Sequence, residues 1–139
     1  MARRQSIEQQ QLHELLYQAL ETELGGVKIY ETALGCAVNE DLKREWAEYL
    51  EETRTHEKVL RNVFEALGLD PRERSPGRKI VGHIGESLVQ AMKLAKSAGD
   101  AAAAELVATE CVVLAQTKDH ANWGLIRKAA GDMSGDVGK

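Results

Sequence analysis

Apolar residues return at intervals of three and four along almost the whole of this chain, the spacing of one helical face, and that pattern leaves little room for anything but long α-helices. Leu12, Leu16, Ala19, Val27, Tyr30, Leu34 and Ala37 mark the first stripe and predict a helix over about 6–37. Asn39 carries an N-capping side chain. Behind it the spacing resumes through Leu42, Trp46, Tyr49, Leu60, Val63, Phe64 and Leu67 and stops at Gly68, which predicts a second helix over about 39–67. Both prolines of the chain fall within 68–78, and with the arginines and glycines around them they predict an irregular connection between two helical hairpins. A third helix is expected over about 79–98, with Val81, Ile84, Leu88, Ala91, Leu94 and Ala95 on its apolar face. After a tight turn at 97–100, a fourth is expected over about 101–130. Its first half, AAAAELVATECVVLAQ, is apolar almost all round, as for a central helix or an oligomer contact. Residues 1–131 are therefore expected to form one all-α domain, an antiparallel four-helix bundle, with 132–139 as a flexible tail.

At 139 residues the chain has the length of one ordinary domain. Its formal charge of -4 is spread over interleaved acids and bases. No basic stripe follows from it, so nucleic acid is not an expected partner. The start, MARRQSIEQQQLHELL, turns polar after its arginines and lacks the apolar core of a secretory leader. The most apolar stretch, Ala101 to Gln116, is broken by Glu105, Thr109 and Glu110, short of the roughly 20 apolar residues that span a bilayer. Cys36 and Cys111 have no CxxC spacing and suit a reducing, cytoplasmic setting, as small buried side chains. Gly25 and Gly26 fall inside a helix, where close approach of a neighbouring helix is the expected reason. Neither a phosphate-binding loop nor a nucleophile with a readable base partner is present, so hydrolase chemistry has no support.

Charges on the apolar faces carry the functional reading. Glu23 sits at the centre of the first stripe, between Ala19 and Val27. A carboxylate there costs several kcal/mol unless it is paired, protonated or metal-bound. On the second helix the stripe passes through Thr53 and His56, and Glu52, four residues before His56, lies within reach of it as a hydrogen-bond partner or a second ligand. On the fourth helix Leu106, Glu110, Val113, Leu114, Thr117 and Ala121 are taken as the inward face, with Glu110 at its centre and His120 one edge over. Glu23, His56 and Glu110 are thus expected to converge, with Glu52 or His120 completing a ligand set. The alternative is that each carboxylate pairs with a basic side chain across the bundle.

These segments resemble the ferritin-like superfamily of rubrerythrins, bacterioferritins and their stress-associated relatives. ETELGGVKIYETAL is similar to the first ferritin helix, with Glu23 as ligand and Tyr30 as the tyrosine beside the site. YLEETRTHEKVLRNVFEALG is similar to the second, with His56 in the ligand position, and Glu110 matches the single glutamate of the third. The resemblance implies a carboxylate site inside a four-helix bundle, built from single glutamates and Glu-x-x-His pairs. Thr53 stands where the family has a bridging glutamate, with Glu52 one residue away. The last ligand helix would be expected after Lys139, and only Thr117-x-x-His120 echoes it.

The expected function is binding of iron, or of manganese or zinc, which suit mixed carboxylate and imidazole ligands. A di-iron centre draws on about six protein ligands, so weak or no redox activity is expected, and any catalysis would be ferroxidase- or peroxidase-like. The competing reading is a metal-free dimerisation or interaction module. It rests on Ala108, Val112, Ala115, Trp123 and Ile126, which lie opposite Glu110 and are taken as an apolar outer face that would join the chain into a homo-oligomer through helix 4.

Overall fold

Four helices, α1 (Ala2–Cys36), α2 (Glu40–Leu67), α3 (Pro76–Ser97) and α4 (Ala101–Asp132), build an all-α bundle, and no strand occurs among the described residues. The structure is a computed structural model describing residues 2–132. Of the tail expected over 132–139, Asp132 is the last residue of α4 and 133–139 lie outside the described residues.

Local chemistry sets the helix ends. The Asn39 side chain accepts hydrogen bonds from the backbone of Asp41 (2.8 Å) and Leu42 (3.3 Å), capping α2. Gly68 closes the same helix at φ 72°, and the Leu69 N–H reaches back to the Phe64 carbonyl at 2.8 Å. α3 begins at Pro76, earlier than the apolar pattern suggested. Ser75 caps it by accepting from the Arg78 N–H (3.1 Å), and proline in the first turn loses no helical hydrogen bond. The turn between α1 and α2 is held from α4, where the Glu105 carboxylate accepts from the N–H groups of Val38 (2.5 Å) and Asn39 (2.7 Å).

α1 is the hub: α2, α3 and α4 all pack against it, and α3 and α4 also pack on each other. Contacts fix the directions. Tyr17 meets Phe64 near one end of the bundle and Tyr30 meets Tyr49 farther along, so α2 runs antiparallel to α1. Glu105 lies beside Val38, and Trp123 beside Glu23, so α4 is antiparallel to α1 as well. The glycines serve close approach. A Cβ on Gly26 would lie 3.1 Å from Thr53 Cγ2, and one on Gly85 would lie 3.8 Å from the Gly25 backbone.

The inward face of α4 corrects the sequence expectation. Ala104, Ala108, Cys111, Val112 and Ala115 are buried, whereas Leu106, Val113, Leu114 and Leu125 are exposed. A segment apolar all round has no unique stripe to bury, and here the small side chains are the ones that let α4 lie close against α1. The outer apolar face expected at Val112, Ala115, Trp123 and Ile126 is accordingly spent inside the chain. The central helix is α1 rather than α4.

Two apolar clusters fill the interior. One gathers Ile29, Tyr30, Ala33, Trp46, Leu50, Met92, Ala108 and Ala115. The other gathers Leu12, Leu16, Leu20, Leu60 and Phe64, with Trp123 and Ile126 against it. Burial of each large side chain stabilises the fold by about 1.5–3 kcal/mol. At the edge of the second cluster Arg78, 2 % exposed, donates to Glu21 Oε1 (2.9 Å) and to the carbonyls of Pro71 (2.5 Å) and Glu73 (3.0 Å), which ties the 68–75 connection to α1. Among the described residues no helix is long and apolar enough to cross a membrane.

Candidate metal centre

Between the two clusters lies a thin polar layer. Glu23 falls in the sequence between Leu20 of one cluster and Ile29 of the other, Thr53 between Leu50 and Leu60, and Asp119 between Ala115 and Trp123. Helical geometry therefore delivers one position from each of α1, α2 and α4 to the same level. Glu23 is buried to 2 % exposure. His56 arrives one turn after Thr53, and its Nδ1 stands 3.5 Å from Glu23 Oε1 and 3.5 Å from Asp119 Oδ2. One ligand atom from each of Glu23, His56 and Asp119 lies within 4.8 Å of the others.

Further hydrogen bonds surround this trio, and one of them reaches it. Trp123, one turn past Asp119 on α4, donates its indole N–H to Glu23 Oε1 at 3.0 Å, and its ring lies 5.1 Å from that of His56. Lys118 points its ammonium at Thr22 Oγ1 (3.0 Å), and Asn122 shares the same acceptor (3.1 Å). One turn above, the Tyr30 hydroxyl accepts from Gln116 Nε2 at 2.8 Å.

Electrostatics sets the chemistry of the layer. Burial pushes the Glu23 carboxyl up to about 9, and the Asp119 carboxyl beside it adds to the shift, while the Trp123 hydrogen bond opposes it. Without a cation, Glu23 holds a proton at neutral pH. Burial lowers the pKa of Lys118, against the attraction of Asp119 and Glu23. Two polar atoms of the layer are buried with no hydrogen-bond partner, His56 Nδ1 and Asp119 Oδ1. Such atoms are rare in folded proteins and each costs about 1–3 kcal/mol.

These features fit a divalent cation. Metal bonds of about 2.0–2.2 Å to N and O ligands in a tetrahedral arrangement place neighbouring ligand atoms roughly 3.3–3.6 Å apart. The two imidazole-to-carboxylate distances, both 3.5 Å, are close to that spacing.

Of the residues expected to form the site, Glu23 and His56 meet. Glu110, Glu52 and His120 do not join them, and all three are exposed. The expected convergence of Glu110 is corrected by the rotation of α4: with Ala108, Cys111 and Ala115 turned inward, Glu110 faces solvent beside Leu106, Val113 and Leu114. Asp119 supplies the contribution of α4, and the sequence does carry a signal for it. Ala108, Val112, Ala115, Trp123 and Ile126 leave a gap in their three-and-four spacing that Asp119 fills, an acid interrupting an apolar stripe just as Glu23 does on α1.

The fold and the geometry thus define a helical bundle with a partly buried carboxylate–imidazole cluster, of which Glu23 alone is fully buried. No protein-family model matches the chain, nor does any curated protein or any solved structure.

Proposed function

We propose that this chain is a ferritin-like metal-binding bundle that holds one divalent transition-metal ion between Glu23, His56 and Asp119. The observation that carries the reading is the buried, unpartnered His56 Nδ1, set 3.5 Å from one carboxyl oxygen each of Glu23 and Asp119. An ion there satisfies His56 Nδ1, displaces the Glu23 proton and neutralises the two carboxylates. Trp123 then fixes the orientation of Glu23, as hydrogen-bonded neighbours commonly do for ligands.

Two carboxylates and one imidazole suit iron, manganese or zinc. The ferritin-like assignment is supported by the ligand order, a carboxylate from the first helix, a histidine from the second and a carboxylate from a later one. Three protein ligands hold a single ion and leave open positions, half the roughly six ligands of a di-iron centre. Binding is therefore favoured over ferroxidase- or peroxidase-like turnover. Self-association through α4 belongs to the same proposal. Its support is the exposed row Leu106, Val113, Leu114 and Leu125, continued on α3 by Ile80, Ile84 and Leu94.

Titration of the chelator-treated protein with Fe(II), Mn(II) and Zn(II), followed by calorimetry and elemental analysis, tests the reading. One ion per chain is expected, lost in Glu23→Gln and Asp119→Asn and retained in Glu110→Gln. Absence of binding, or equal binding by Asp119→Asn, leaves the metal-free interaction module as the better reading.

A further inference from the structure

Beside the polar layer a cavity of about 370 Å³ opens between α1, α3 and α4. That is near the lower end of the roughly 300–1,000 Å³ typical of small-molecule clefts. Ile29, Val81, Leu88 and Ala115 wall it, and the exposed side chains of Ile84 and Leu114 stand at its edge. Its polar lining is uneven. Glu23, Lys118 and Asp119 lie at the level where Trp123 of α4 meets α1, while Ile29 and Ala115 lie a turn or more farther along, at the level of the Tyr30–Gln116 hydrogen bond. The cavity is polar at one end and apolar along its length.

Charge narrows what can occupy it. Glu21, also in the lining, is already paired with Arg74 and Arg78. A dication cancels the charges of Glu23 and Asp119. Lys118 makes no ion pair among the described residues, its Nζ donating instead to Thr22 Oγ1. One positive charge is then left at the polar end, partly screened from water, and a single negative charge on a ligand would neutralise it.

On the reading of Glu23, His56 and Asp119 as a metal site, we infer that this cavity binds a small monoanionic amphiphile. Its carboxylate-type head lies at the ion and Lys118, and its apolar body lies along Ile29, Leu88 and Ala115. The head supplies an oxygen donor to an open coordination position and an acceptor to the ammonium, and the body removes apolar wall from water.

Decanoate is a suitable probe, with decanol as the uncharged control, in calorimetry on the full chain after lipid and metal removal. Mn(II) is titrated first, then decanoate into the Mn(II)-loaded and metal-free forms. Decanoate should bind the loaded form one to one and bind the metal-free form at least about tenfold more weakly, the scale of a charge-assisted contact. Lys118→Met should lose a similar factor for decanoate without losing Mn(II) binding, Lys118→Arg should restore decanoate binding, and decanol should respond to neither change. If Mn(II) binds and decanoate does not, or if Lys118→Met leaves decanoate affinity unchanged, the inference fails and the metal site stands. If Mn(II) itself does not bind, both fail together. A dimer that is lost in Leu114→Asp, with no decanoate uptake by the wild type, would assign the cavity mouth to a second copy of the chain and overturn the proposal.

Discussion

Replacing Glu23 by Gln preserves the shape of the side chain and its acceptor for the Trp123 indole, but removes the titrating proton. In the folded chain the Glu23 carboxyl is raised to about 9, by burial first and by Asp119 second, against 4.5 for the free group. Between those values the folded chain keeps a proton that the unfolded chain has released. Stability therefore falls as pH rises through this window, by up to about 1.4 kcal/mol per pH unit, and levels off above about 9. At pH 7 the wild type carries a penalty of up to about 3 kcal/mol that Glu23→Gln lacks. Urea denaturation from pH 5 to 8 in the presence of a chelator measures it. The stability of wild type relative to Glu23→Gln should fall by about 2–4 kcal/mol over that range. Mn(II) at about 100 times its dissociation constant should return about 2.7 kcal/mol to the wild type alone. Parallel pH profiles for the two proteins would refute the reasoning, because Glu23 would then not be the group that holds the proton.

Trp123→Phe removes the indole hydrogen bond to Glu23 while keeping an aromatic ring against His56, and should weaken Mn(II) binding about 10–100-fold in calorimetry with little change in helicity. Arg78→Met leaves the Pro71 and Glu73 carbonyls without their donor and Glu21 without its buried partner, and should cost about 3–5 kcal/mol in urea denaturation. Glu105→Gln weakens the contact that holds Val38 and Asn39, and should lower the thermal midpoint at pH 7. Those two N–H groups hold the Glu105 carboxyl below its ordinary value, so its contribution is present above pH 4.5 and lost as pH falls through the lowered value; the wild-type and Glu105→Gln midpoints should converge in acid.

The helices were legible because their signals agree. The stripe from Leu12 to Ala37, the cap at Asn39 and the stop at Gly68 each mark an end or a face that no competing pattern disputes. Glu23 was legible as an interior charge for the same reason, being the single acid on an otherwise apolar face. The orientation of α4 was not legible. Leu106, Val113 and Leu114 on one side compete with Ala108, Val112 and Ala115 on the other, and hydropathy favours the bulkier set. Packing decides otherwise, because close approach to α1 selects small side chains, a constraint that belongs to a pair of helices and not to either sequence. Asp119 lies on the small-residue side, so a reading by hydropathy places it away from the core.

The thin polar layer between the two apolar clusters also acts as a ruler for the bundle. Apolar packing alone tolerates sliding, since leucine against leucine costs little more after a shift of one turn than before it. A slip of one helical turn, about 5.4 Å, would set Glu23 or Asp119 against an apolar side chain with neither proton, imidazole nor ion to meet it. Only one vertical alignment of α1, α2 and α4 keeps all three groups at a common height, so the layer that weakens the core at neutral pH is also what gives the bundle a single alignment.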